Sequence, residues 1–121
     1  MKESILKTKS FRFAIRIINL YKYLCESKKE FVLSKQILKS GTSVGANIRE
    51  AEHSESKADF VHKMAVAQKE INETIYWLEL MKETEYISKQ EFESINIDAV
   101  EIIKMITSSI KTAKSKLTTN R

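Results

Sequence analysis

The chain reads as an all-α protein, an antiparallel up-down-up-down four-helix bundle, and three observations carry that reading. Its 121 residues include no proline and only two glycines, while 31% are charged and 42% apolar; such a chain is built almost wholly of helix. Apolar residues recur at steps of three and four through most of its length, the spacing of one helix face. The two glycines, Gly41 and Gly45, stand four apart inside such a run, where each costs roughly 1 kcal/mol relative to alanine. That expense makes sense if the bare positions form a shallow groove admitting a neighbouring helix at short range. A mass of 14.0 kDa implies one domain, residues 1–121, with 1–9 and 118–121 expected as flexible ends.

Helix 1 is expected from about Ser10 to Cys25. Phe11, Ala14, Ile15, Ile18, Tyr21 and Cys25 form one apolar stripe, and Phe13, Ile17, Leu20 and Leu24 form a second beside it. Arg12, Arg16, Asn19 and Tyr23 are left for the outer face, so the apolar arc is wider than one neighbour requires. Glu26 to Glu30 makes a polar turn. Helix 2 begins near Phe31 to Leu33 and reaches about His53, with Leu33, Ile37, Gly41, Val44, Gly45 and Ile48 on its core face. Lys35, Lys39, Thr42, Ala46 and Arg49 line another face, and Gln36, Ser40, Ser43, Asn47 and Glu50 form a polar strip between them. Serine and glycine at 40–43 also suit a loop, but the apolar spacing continues through them.

Ser56 stands three residues before Asp59 as an N-cap for helix 3, which extends to about Glu83. Phe60, Met64, Ala67, Ile71, Ile75, Leu78 and Met81 face its core, while Val66, Glu70, Glu73, Trp77 and Leu80 make a mixed second stripe. Residues 84–87 break the rhythm. Ser88 and Glu91 form a capping box for helix 4, whose expected core residues are Phe92, Ile95, Ala99, Ile102, Ile103, Ile106, Ile110 and Leu117. Short connections between successive helices imply antiparallel neighbours.

The single Cys25 excludes an internal disulfide and reads as a small buried hydrophobe in a reducing compartment. Lysines and arginines interrupt every apolar run near the N-terminus, and no window approaches the roughly 18 apolar residues of a membrane span. A soluble, cytoplasmic protein with no membrane partner is expected. Charge is segregated: residues 1–49 hold 11 lysines and arginines against Glu3, Glu26 and Glu30, and 102–121 hold five against none. Residues 50–101 reverse this, with 13 acids against five bases. Such a polarised molecule can steer a charged partner or pair with its own copies.

Glu50-Ala-Glu-His53 and Asp59-Phe-Val-His62 imitate the paired motifs of di-metal helical proteins. The bundle end they share offers only Glu3 as a further acid, so the ligand set falls two carboxylates short and no metal or other cofactor is expected. There is no phosphate-cradling glycine loop, no CxxC pair, no nucleophile elbow, and no histidine placed to activate a serine. The protein is not expected to be an enzyme.

Two surfaces remain. Val66, Trp77 and Leu80 surround Glu70 and Glu73, and with Ser43, Asn47 and Glu50 they form a candidate subunit interface. The basic side chains Arg12, Arg16, Lys39 or Arg49 of another copy would meet those acids. The candidate phosphate-binding set is Arg12, Arg16, Lys35, Lys39, Arg49, Lys111, Lys114 and Lys116, which could hold RNA or DNA by its backbone, salt-sensitively and with little sequence preference. A purely structural adaptor, whose charges serve only self-assembly, is the alternative.

The run from Lys28 to Ala51, KKEFVLSKQILKSGTSVGANIREA, resembles the hallmark of a bacterial four-helix-bundle family once called S-twenty-three ribosomal proteins. Their genes often lie in intervening sequences within large-subunit ribosomal RNA genes. The segment from Phe60 to Trp77-Leu78, with Glu70 and Glu73, is similar too. The resemblance implies a homopentameric barrel. One branch comprises the accessory variability proteins of diversity-generating retroelements, which implies nucleic acid and a reverse transcriptase as possible partners.

Overall fold

The computed structural model describes the backbone of residues 2–119 and the side chains of residues 5–116. Four helices follow one another: α1 (Lys2–Glu26), α2 (Leu33–Glu52), α3 (Lys57–Glu83) and α4 (Lys89–Thr119). Each packs on its chain neighbours, and α1 closes the bundle against α4; α1 and α3, like α2 and α4, sit on the diagonals. This is the expected antiparallel bundle.

Phe13, Ile17, Leu24, Ile37, Val44, Ile71, Leu78, Ile102 and Ile106 fill the centre, each with at most 1% of its surface exposed. The expected core faces of α2, α3 and α4 supply most of it. Leu117, expected in the α4 core, lies outside the residues whose side chains are described. Helix α1 departs from expectation in two ways. It begins at Lys2, two turns ahead of the expected start at Ser10, because Leu6 continues the heptad spacing of Phe13 and is buried. Of its two apolar stripes only Phe13, Ile17, Leu20 and Leu24 turn inward. Phe11, Ile15 and Ile18 remain on the surface.

Helix α2 is unbroken through its serine- and glycine-rich stretch. The Thr42 hydroxyl donates to the Leu38 carbonyl (2.7 Å) and the Ser43 hydroxyl to that of Lys39 (2.6 Å), so residues that often open turns are satisfied one helical turn back. At Gly41 a side chain of α1 presses on the bare position, whereas at Gly45 it is the α1 backbone that draws near. A methyl group built at Gly41 would stand 2.7 and 2.8 Å from the two γ-carbons of Ile17, whereas one at Gly45 would meet Ser10 at an ordinary 3.4 Å. On the α3 side Ser40, expected in the polar strip, is buried instead, and its hydroxyl bonds to that of Thr74 at 2.8 Å. Cys25 is half-buried, 3.7 Å from the Ser34 hydroxyl.

The two loops at the far end close without glycine. Lys29 (φ 53°) and Glu85 (φ 66°) adopt the left-handed conformation that commonly ends a helix. Glu30 N–H then donates to the Leu24 carbonyl and Tyr86 N–H to that of Met81, both at 2.9 Å. The same Glu30 starts α2: its carboxylate accepts from the backbone N–H groups of Val32 (3.2 Å), Leu33 (3.0 Å) and Ser34 (2.7 Å). Partial burial alone would raise its pKa, but those donors and the Ser34 hydroxyl together hold it below the usual carboxylate value. A depressed carboxylate stabilises the fold above its unfolded pKa of about 4.3 and ceases to do so as pH falls through the folded value. Glu30→Gln is expected to lose about 1 kcal/mol near neutrality and to converge on the native protein in acid. Urea unfolding at pH 7 and at about pH 3.5 checks this.

Candidate interaction surfaces

Helix α2 has a different unpartnered face on either side. On the α1 side, Phe11 (54% exposed), Ile15 (44%) and Ile18 (37%) stand outside the core. They border a groove of about 440 Å³ whose floor includes Ala14, Gly45 and Ala46. The small residues of α2 keep that floor low. Arg49 stands at its edge with its guanidinium 5.8 Å over the Phe11 ring, a cation–π distance. Arg12, Lys35 and Lys39 are exposed elsewhere on the same two helices. None of these four cations forms an ion pair among the described residues.

On the α3 side lie the residues expected to form a subunit interface, and helical spacing brings them onto one surface. Val66, Glu70, Glu73, Trp77 and Leu80 are all half-buried along α3. Ser43 and Asn47 line the adjacent edge of α2, where the Asn47 amide donates to the Ser43 carbonyl (2.8 Å). Glu50 accepts from Lys63 at 2.9 Å, and this contact raises the Lys63 pKa. Glu73 accepts weakly from the Trp77 indole (3.4 Å). Neither Glu70 nor Glu73 has a cation among the described residues. Phe11, Ile15 and Ile18 of α1 add exposed apolar surface on the other side, where the over-wide apolar arc marked it.

Among the candidate phosphate ligands Arg16 is engaged elsewhere. Its guanidinium donates to Asp98 (2.8 Å) and to the Ser94 hydroxyl (3.0 Å) and carbonyl (3.2 Å), tying α1 to α4. No local pattern in α1 signals that partner, which lies 82 residues away. Lys7 and Lys9 also pair within the chain, with Glu52 and Glu101. Lys111, Lys114 and Lys116 are exposed along the end of α4, remote from the α1/α2 groove in sequence. His53 and His62 are exposed, and among the described residues no group of three His, Cys, Asp or Glu side chains converges as a metal site. Nor is any described helix long and apolar enough to cross a membrane.

A family model of the 23S rRNA-intervening sequence proteins matches residues 2–108, from the first turn of α1 well into α4. The chain belongs to that family. A solved structure similar to this family member is a protein of unknown function from the S23 ribosomal protein family of Bacteroides thetaiotaomicron VPI-5482. It is 59% identical, covers 92% of this chain and 99% of its own, and superposes with a TM-score of 0.91. No curated protein matches this family member.

Proposed function

We propose that this protein is a non-enzymatic, homo-oligomeric bundle that presents basic surface to nucleic acid, or to an enzyme that handles it such as a reverse transcriptase, in the cytoplasm. One observation carries the assembly half: α2 is flanked by an apolar groove edged by Arg49, which has no ion pair among the described residues, and by an aromatic face holding two half-buried carboxylates without a cation. Monomers seldom leave such apolar surface uncovered. Seating one copy's Glu70–Trp77 face in the next copy's Phe11–Ile18 groove buries the apolar groups and brings Glu70 and Glu73 toward Arg49. The family resemblance supports five copies.

Membership in a family named for ribosomal RNA intervening sequences and a formal net charge of +5 support the nucleic-acid half. The alternative is an adaptor whose charges only join copies, favoured by Arg49 standing at the groove over the Phe11 ring. Light scattering on the eluting protein at micromolar concentration tests assembly, and a monomer there defeats it. Filter binding to RNA at low and moderate salt separates the two readings. Binding that weakens steeply with salt is expected, and none at either salt selects the adaptor.

A further inference from the structure

A third surface lies along the outer side of α3 and α4, bordering the proposed self-association face where Tyr76 meets Trp77. The amide of Gln68 donates to the Thr107 hydroxyl across this groove at 2.9 Å, which fixes the alignment of the two helices there. Lys69 and, two turns on, Tyr76 project from α3 beside it. Lys104, Thr107 and Lys111, at steps of three and four, project from α4. All three lysines are exposed, and none has an ion-pair partner among the described residues. Of the neighbouring acids, Glu73 accepts from the Trp77 indole and Glu101 pairs with Lys9 of α1 at 2.6 Å, while Glu79, one turn beyond Tyr76, is exposed. From Ile102 to the end of the sequence no acid follows. Tyr76 is 56% exposed, its ring braced edge-on by Trp77 with centroids 5.1 Å apart.

Unneutralised cations along a groove, with a protruding aromatic ring at one end, match a single polynucleotide strand: ammonium groups on phosphates and one base stacked on the ring. A duplex hides its base faces and gives Tyr76 nothing to stack on. We propose that the α3/α4 groove binds single-stranded nucleic acid through Lys69, Lys104 and Lys111, with Tyr76 as the stacking platform. This rests on the nucleic-acid reading above and assigns it to residues outside the set that forms the proposed subunit contact.

Fluorescence anisotropy on the whole protein tests it, using short oligouridylate, DNA of matching length, a duplex and inorganic polyphosphate. Lys69→Gln/Lys104→Gln/Lys111→Gln is expected to weaken oligouridylate binding more than about tenfold and to lower the salt slope by about 2, three contacts at roughly 0.7 each. Tyr76→Leu is expected to weaken binding of both oligonucleotides about tenfold while leaving polyphosphate unchanged. The duplex is expected to bind more weakly than either single strand. RNA and DNA should bind within about threefold of one another, since stacking and phosphate contacts ignore the 2′-hydroxyl. If the triple variant binds normally while Lys35→Gln/Lys39→Gln does not, the groove is wrong although the nucleic-acid reading survives. A Tyr76→Leu protein indistinguishable from the native one, or a duplex preferred to single strands, overturns the stacking mode. If the native protein binds no polynucleotide even at low salt, both this assignment and the nucleic-acid reading fail. Circular dichroism melts verify that each surface variant remains folded.

Discussion

Gly41→Ala is expected to destabilise the bundle by about 2 kcal/mol, an unusual result for replacing a mid-helix glycine with the best helix former. The propensity gain is roughly 1 kcal/mol. Against it stand two γ-carbons of Ile17 within 2.8 Å of the new methyl group, and its β-carbon at 3.1 Å. Ile17 is wholly buried and β-branched, so it has essentially one χ1 rotamer available in a helix. It cannot swing aside, and α1 must move outward, loosening contacts along the whole α1/α2 interface. Overpacking of that kind reaches about 3 kcal/mol, which leaves the net loss stated. Gly45→Ala is the internal control: its nearest neighbour is at 3.4 Å, so the propensity gain should survive as a higher melting temperature. A double-mutant cycle with Ile17→Ala removes both clashing carbons. The combined loss is expected to be smaller than the sum of the single losses by more than about 1 kcal/mol. A Gly41→Ala protein that melts at or above the native temperature would show that the close crossing does not constrain α2.

Phe11→Glu combined with Ile18→Glu is expected to convert the assembled protein to monomer without unfolding it. Both side chains lie outside the core, and glutamate is a good helix former, so the monomer's own stability should change little. At the proposed contact, each substitution forfeits roughly 1.5–3 kcal/mol of apolar burial. It also sets a carboxylate against Glu70 and Glu73. Two sites together forfeit about 3 kcal/mol or more, at least two orders of magnitude in dissociation constant. Light scattering across a dilution series reads this directly. An unchanged mass would place the subunit contact elsewhere on the bundle.

Most of the architecture was legible from spacing alone, because the core faces of α2, α3 and α4 are continuous stripes at helical period. The capping residues Ser56 and Ser88 also act as expected, accepting from Asp59 and Glu91 N–H at 3.0 Å. Helix α1 was ambiguous for a physical reason: it carries two apolar stripes, and periodicity cannot say which one the other three helices occupy. Leu6 was obscured by the lysines around it, although it stands one heptad before Phe13. Glu30 read as a turn residue, since a carboxylate reaching forward to three N–H groups leaves no periodic trace. That the candidate interface residues on α2 and α3 share one surface was legible from helical spacing. Arg16 was not, because its partners on α4 are brought to it only by the closing of the bundle, and the α3/α4 groove likewise joins residues far apart in the chain.

The two faces beside α2 differ from each other, and that difference governs how assembly could end. A patch that mates with a copy of itself finishes at a dimer; a plug that fits only a socket leaves one of each unfilled after every addition. Growth of that kind stops only when the last socket meets the first plug, in a closed ring, or else it runs on as a filament. Because plug and socket share α2 as their common wall, the angle between them is set inside one subunit, by how α1 and α3 lean against that helix. If copies join by the proposed contact, the packing of Ile17 on Gly41 would help decide how many close a ring as well as the stability of each.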